Sequence, residues 1–135
     1  APLADTRELL VHAYYISAGS SVATGYPALR RKTLTAGPDI GDEEIIAGVE
    51  DLQFQVGVDT DADSLADAFV NPGGVPATAK PVSVRIWLRL RSQERDNAFT
   101  DDQASTYADR TVNASGDHFR RLLMTKTLQL RNSGP

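Results

Sequence analysis

The sequence predicts a mainly β fold, an antiparallel sheet carrying long loops, and three segments predict it. "PVSVRIWLRLRS" alternates Val82, Val84, Ile86, Leu88 and Leu90 with Ser83, Arg85, Trp87, Arg89 and Arg91, the period of two that marks a half-buried strand. "VEDLQFQVGV" does the same, with Leu52, Phe54, Val56 and Val58 against Gln53, Gln55 and Gly57. Near the C-terminus, "RRLLMTKTLQLRN" places Leu122, Met124, Leu128 and Leu130 on one side, interrupted by Lys126, with Thr125, Thr127, Gln129 and Arg131 opposite.

The remaining elements follow in chain order. "ELLVHAYYIS" and "YPALRRKTL" predict two further strands, joined by "SAGSSVATG", whose glycines and serines suit a hairpin connection. "GDEEIIAGVE" predicts a short helical turn with Asp42 as its N-cap and Glu43 and Glu44 near the positive end of the dipole. "VNPGGVPATAKP" and "SQERDNAFTDDQASTYADRTVNASGD" hold most of the turn formers without a sustained period, so they are expected as surface loops. Leu52, Phe54, Val56, Val84, Ile86 and Leu88 are the expected core, and the glutamine and arginine faces are expected outside. On that register Phe54→Ala costs about 3–5 kcal/mol, and Arg89→Ala leaves folding nearly intact.

A chain of 135 residues, 41% hydrophobic, suffices for a single globular domain over residues 1–135 with a modest core. Its net charge of −4 supplies no positive field for nucleic acid. The absence of cysteine removes disulfides, thiolate metal sites and cysteine nucleophiles together. No apolar run reaches the roughly 18–20 residues of a membrane span, and a start at Ala1 without Met is expected of a processed or truncated form.

Catalysis is not expected. His12 sits inside a strand and His118 follows "SGD" beside Asp117, its expected local partner, and no nucleophile elbow, zinc-protease or phosphate-loop pattern occurs. No cofactor is expected, except that the stretch "VGVDTDADSLADAF" offers calcium a candidate loop. Asp59, Asp61 and Asp63 match the first, third and fifth positions of an EF-hand-like loop, Leu65 offers a carbonyl at the seventh, and Asp67 falls at the ninth. Ser64 stands where glycine normally makes the sharp turn, and Val70 where a bidentate Glu would sit. The same aspartates equally suit Asx turns. Arg85, Trp87, Arg89 and Arg91 form the candidate partner-binding row, residue types enriched at interface hot spots, although the wetter face of a sheet explains them as well.

In order, "LLVHAYYIS", "GYPALRRKTL", "EEIIAGVEDLQFQVGVDTDADS", "VSVRIWLRLRS" and "FRRLLMTKTLQLRN" resemble the globular region of PilW-type minor pilins of the type IV pilus, from about Leu9 to Asn132. The most specific part is "GVEDLQFQVGVDTDADS", a strand feeding directly into an Asp-x-Asp-x-Asp turn. The resemblance implies an α+β pilin-like fold in the full protein, with a mainly antiparallel sheet packed on an N-terminal helix absent from this stretch. It implies a structural subunit that helps prime pilus assembly or sits at the pilus tip. The partners implied are other minor pilins, the major pilin or a tip adhesin, and the membrane is met only through the N-terminal helix. The implied location is the bacterial envelope, first the inner membrane facing the periplasm and then the pilus surface. A minor pseudopilin of a type II secretion system and a calcium-dependent adhesive tip module are the alternatives. Family members often carry glycine inside the acidic turn where this chain has Ala62 and Ser64.

Overall fold

The computed structural model describes residues 9–35, 37 and 39–131, and among them every regular element except one 3-10 turn is a strand. β1 (His12–Ser17), β2 (Ala28–Leu34) and β3 (Ile40–Ala47) form a three-stranded antiparallel sheet in that order. β1 and β2 lie within "ELLVHAYYIS" and "YPALRRKTL" and end where those segments end, though they begin four and two residues later, but β3 replaces the expected helical turn at "GDEEIIAG". Pairing across the sheet decides this. Register places Arg30 opposite Glu44, Arg31 opposite Glu43 and Lys32 opposite Asp42, and such opposite-charge pairs are a main stabilising unit of a sheet. Asp42 therefore caps nothing. It accepts the Tyr15 hydroxyl at 2.7 Å and Arg30 Nε at 3.0 Å, and its carboxyl lies below its ordinary pKa, first through the Tyr15 bond.

Gly48 carries the chain from this sheet into the next. Its φ of +87° suits glycine, and a Cβ there would run into the Tyr26 ring and the Arg91 carbonyl. β4 (Val49–Asp59) then leads through the acidic loop to β5 (Ala68–Val70), a 3-10 turn at Pro72–Gly74 and β6 (Lys80–Arg91). β7 (Ser105–Tyr107) and β8 (Arg110–Val112) make a small hairpin inside the second long loop, and β9 (Arg121–Gln129) closes the chain. The central sheet has the order β5-β4-β6-β9, antiparallel throughout. β5, for which the sequence predicts no element, and the β7-β8 hairpin, expected as loop, are three residues per strand, too short to show a period.

The two faces of the central sheet are unequal, and in the opposite sense to that expected. Phe54 is 46% exposed, whereas Arg89 is 5% exposed. The buried apolar residues are Ala28, Leu29, Val49, Val58, Val82 and Tyr107. They sit at or near strand ends, Tyr107 within the hairpin itself, and none belongs to the expected core set. The expected core is thereby corrected: Leu52, Val56, Val84, Ile86 and Leu88 are half-buried and Phe54 is exposed, although they pair across β4 and β6 as alternation predicts. The strands alternate as predicted, but the long loops fold over the arginine face and leave the aliphatic face open.

Candidate functional site

The covered face is built on a bulge. Between Val49 and Asp51 the register of β4 against β6 slips, so Glu50 and Asp51 both reach the arginine side. Glu50 Oε1 accepts Arg89 Nη1 at 2.5 Å and Arg121 Nε at 2.7 Å. Arg121 also donates to Asp101 Oδ2 at 3.0 Å and to both oxygens of Asp117 at 2.7 and 2.8 Å. The Arg121 hydrogen bonds, opposed by desolvation, lower the Asp117 carboxyl to about 2, and the Asp117 bond in turn raises the Arg121 pKa. Buried arginines are tolerable only in such company. Tyr107 donates to Asp51 Oδ2 at 2.5 Å, and burial first, then that bond, pushes its pKa up to about 12.

The expected partner row is therefore mostly engaged within the chain. Arg85 lies 3.6 Å from the Phe69 ring centroid and donates to Thr127. Arg91 stacks 4.3 Å from the Phe119 ring centroid and donates to the Gly25 carbonyl at 2.8 Å. Trp87 is half-buried, between Gln53 and Thr125 in register. Arg89 offers no surface to a partner. Alternate arginines on one strand, matched by acidic residues scattered through the second long loop, were the available signal for this arrangement.

The opposite face is apolar and open. Leu52 and Phe54 of β4 and Val84, Ile86 and Leu88 of β6 floor a groove of about 430 Å³, closed on one side by Tyr14 of β1 and Leu29 of β2. Register continues it onto β9, where Leu128, Met124 and Leu122 stand opposite Val84, Leu88 and Leu90. Leu122 and Met124 are 60% and 52% exposed. Apolar surface this continuous is more often found at interaction sites than on bare protein surface. Leu9, Leu10 and Val11, all exposed, precede β1, whose Tyr14 lines the groove.

The acidic loop stands at the far end of β4. Asp59, 3% exposed, accepts the backbone N–H of Asp61 and Ala62 on Oδ1 and that of Ser64 on Oδ2. Burial acts to raise its pKa, but these amides outweigh burial and the carboxyl lies below its ordinary range. Asp67 takes the hydroxyl and amide of Thr60, which lower its pKa. Asp61 behaves otherwise: it accepts the Asp63 amide, yet the charges of Asp63, Asp67 and Asp59 hold its carboxyl above the usual value. Oxygens of Asp59, Asp61 and Asp67 come within 4.8 Å of one another, a set suited to a hard cation, while Asp63 turns to the Leu65 amide and is not in that group. Ala62 and Ser64 have φ of +67° and +68°, left-handed conformations that glycine adopts at less cost.

The histidines join no catalytic set among the described residues. His12 meets the Tyr14 ring edge-on at 6.4 Å. His118 shares a 2.7 Å hydrogen bond between Nδ1 and the Phe99 carbonyl in place of the expected pairing with Asp117, which serves Arg121.

A family model described as "Type IV Pilus-assembly protein W" matches residues 13–132. No curated protein and no solved structure matches the chain.

Proposed function

The chain belongs to the PilW family of type IV pilus-assembly proteins, and from that premise we propose that it is the globular part of a minor pilin, whose apolar N-terminal helix lies along the open face of the central sheet. Family membership places the protein in pilus assembly at the bacterial envelope, among other pilus components and in a structural kind of role. The observation that carries the finer reading is the groove floored by Phe54 and Ile86. A four-stranded sheet whose aliphatic side is half exposed has not finished burying its surface, and a helix with an apolar stripe is the element that completes a two-layer core. At about 25 cal/mol per Å² of apolar surface, covering such a face is worth several kcal/mol. The buried Arg–carboxylate network on the other face holds the loops in place without using that surface. In this reading the subunit works by binding other pilins, priming assembly or standing at the tip, and performs no chemistry.

The test is piliation. Ile86→Asp in the full-length protein should reduce surface pili in the producing bacterium, while Gln93→Asp in an exposed loop should not. Normal piliation with Ile86→Asp would overturn the assignment of this face.

A further inference from the structure

Among the described residues, β9 is the longest strand that ends a sheet. No strand pairs with its outer side, and every residue from Leu122 to Gln129 is exposed. A bare edge of this kind is a template for strand pairing, and proteins blunt it with short strands, bulges, proline or charge. The other edges are blunted in that way: β5, β7 and β8 are three residues each, and β3 carries Asp42, Glu43 and Glu44 and pairs with β2 through a bulge. β1 is six residues long, whereas the nine of β9 present about 30 Å of edge. β9 has no proline and no bulge against β6, and beyond Arg121 its single charge is Lys126.

The backbone of β9 also dictates how a further strand is received. At the two ends of its ladder with β6, Ser92 N–H donates to the Arg120 carbonyl at 2.8 Å and Leu130 N–H to the Val82 carbonyl at 2.9 Å. Hydrogen-bonded and non-hydrogen-bonded pairs alternate along an antiparallel ladder, so Leu122, Met124, Lys126 and Leu128 turn their amides and carbonyls to β6. Those of Arg121, Leu123, Thr125, Thr127 and Gln129 point outward. A second β9 laid antiparallel about Thr125 matches this pattern along its whole length. It sets Thr125 opposite Thr125 of the second copy, Leu123 opposite Thr127 and Arg121 opposite Gln129, and each of these outward-facing pairs exchanges both N–H···O bonds. Between them Leu122 meets Leu128 and Met124 meets Lys126, so no like charges stand directly opposite. The neighbouring registers that keep the same hydrogen-bonding pattern are shorter, and one of them sets Lys126 against Lys126. We propose that β9 pairs with β9 of a second copy of this chain in the register centred on Thr125, joining two central sheets edge to edge. The pairing uses the backbone edge and leaves the groove floored by Phe54 and Ile86 open, so it does not rest on the helix reading above.

Sedimentation equilibrium of the 135-residue chain, from low-micromolar to near-millimolar concentration, should show a monomer–dimer equilibrium. Thr125→Pro removes an outward N–H that β6 does not use, a change an edge strand tolerates, and should weaken the dimer about tenfold or more. Thr125→Lys sets like charges directly opposite each other and should weaken it several-fold, so the test does not depend on the proline variant folding. The chain has no cysteine, which lets cross-linking read the register. Met124→Cys and Lys126→Cys variants, mixed under mild oxidation, should join to each other in preference to themselves, because a non-hydrogen-bonded pair holds its Cα atoms about 4.5 Å apart, within disulfide reach. A chain that stays monomeric throughout overturns the proposal and leaves the edge to a strand of different sequence. A dimer that survives both Thr125 variants, or that Ile86→Asp alone abolishes, also overturns it, since the copies would then meet through the open face. Preferential joining of either cysteine variant to itself overturns the register.

Discussion

Arg89 and Glu50 form a buried ion pair, Nη1 to Oε1 at 2.5 Å, with the Arg89 side chain 6% exposed. Arg121 reaches the same Glu50 oxygen, so β6 and β9 converge on a single carboxylate of β4 that a β-bulge turns inward. The pair inverts the ranking of substitutions that strand alternation alone suggests.

Arg89→Ala should destabilise the domain by about 3–5 kcal/mol, because it leaves Glu50 and Asp101 buried with less compensation. Phe54→Ala, at a half-exposed site, should cost no more than about 1.5 kcal/mol. Urea unfolding of the two variants checks the order. If Phe54→Ala were the worse, the aliphatic face would be covered in the isolated domain.

The acidic loop stores backbone strain at two alanine-sized positions. Ala62→Gly and Ser64→Gly relieve left-handed conformations that cost L-residues about 1–2 kcal/mol, against about 0.4–1 kcal/mol of added unfolded-state entropy. Each should therefore stabilise by about 0.5–1 kcal/mol, read from thermal or urea melts. A loss of stability at both would mean that the loop's hydrogen bonds depend on the side chains present.

Asp61→Asn should raise the melting temperature at low salt without divalent ions, because Asp63, Asp67 and Asp59 crowd the charge it removes. A bound cation relieves the same repulsion. Scanning calorimetry at several millimolar calcium separates the roles of the loop: a stabilisation present in the native chain and lost in Asp61→Asn assigns the ion to Asp59, Asp61 and Asp67, and no shift leaves an Asx-turned acidic loop.

Stability should fall at both ends of the pH scale for separate reasons. Asp117, lowered to about 2 by Arg121, binds its proton in the unfolded chain first, so its contribution is present above about pH 4 and is lost as pH falls toward 2. Tyr107, raised to about 12, contributes fully below about pH 10 and loses that contribution as pH rises through 12. Asp117→Asn should flatten the acid limb and Tyr107→Phe the alkaline one, measured as unfolding free energy against pH. An alkaline limb unchanged by Tyr107→Phe would remove the Tyr107–Asp51 bond from the account.

The strands β1, β2, β4, β6 and β9 were legible because alternation is a local property that the backbone enforces wherever it is extended. β3 was not, since its acidic residues make sense only against the arginines of β2 twelve to fourteen residues earlier. The aspartates at 59, 61, 63 and 67 were legible as a turn, and the structure divides them between a convergent trio and Asp63. The partner row at Arg85, Trp87, Arg89 and Arg91 was legible as one side of a strand, but its engagement was not.

By itself, then, the sequence determined that β4, β6 and β9 each have an apolar and a polar side, and that an acidic turn follows β4. It could not determine which side is covered. A period of two separates the faces symmetrically, and the choice falls to groups far apart in the chain: the bulge that turns Glu50 inward, the loop that delivers Asp101 and Asp117, and the hairpin that sets Tyr107 against Asp51. Those contacts satisfy buried charge on the arginine face, where an unpaired ion would cost most. They leave the aliphatic face, which loses far less by staying exposed, open for another element to cover.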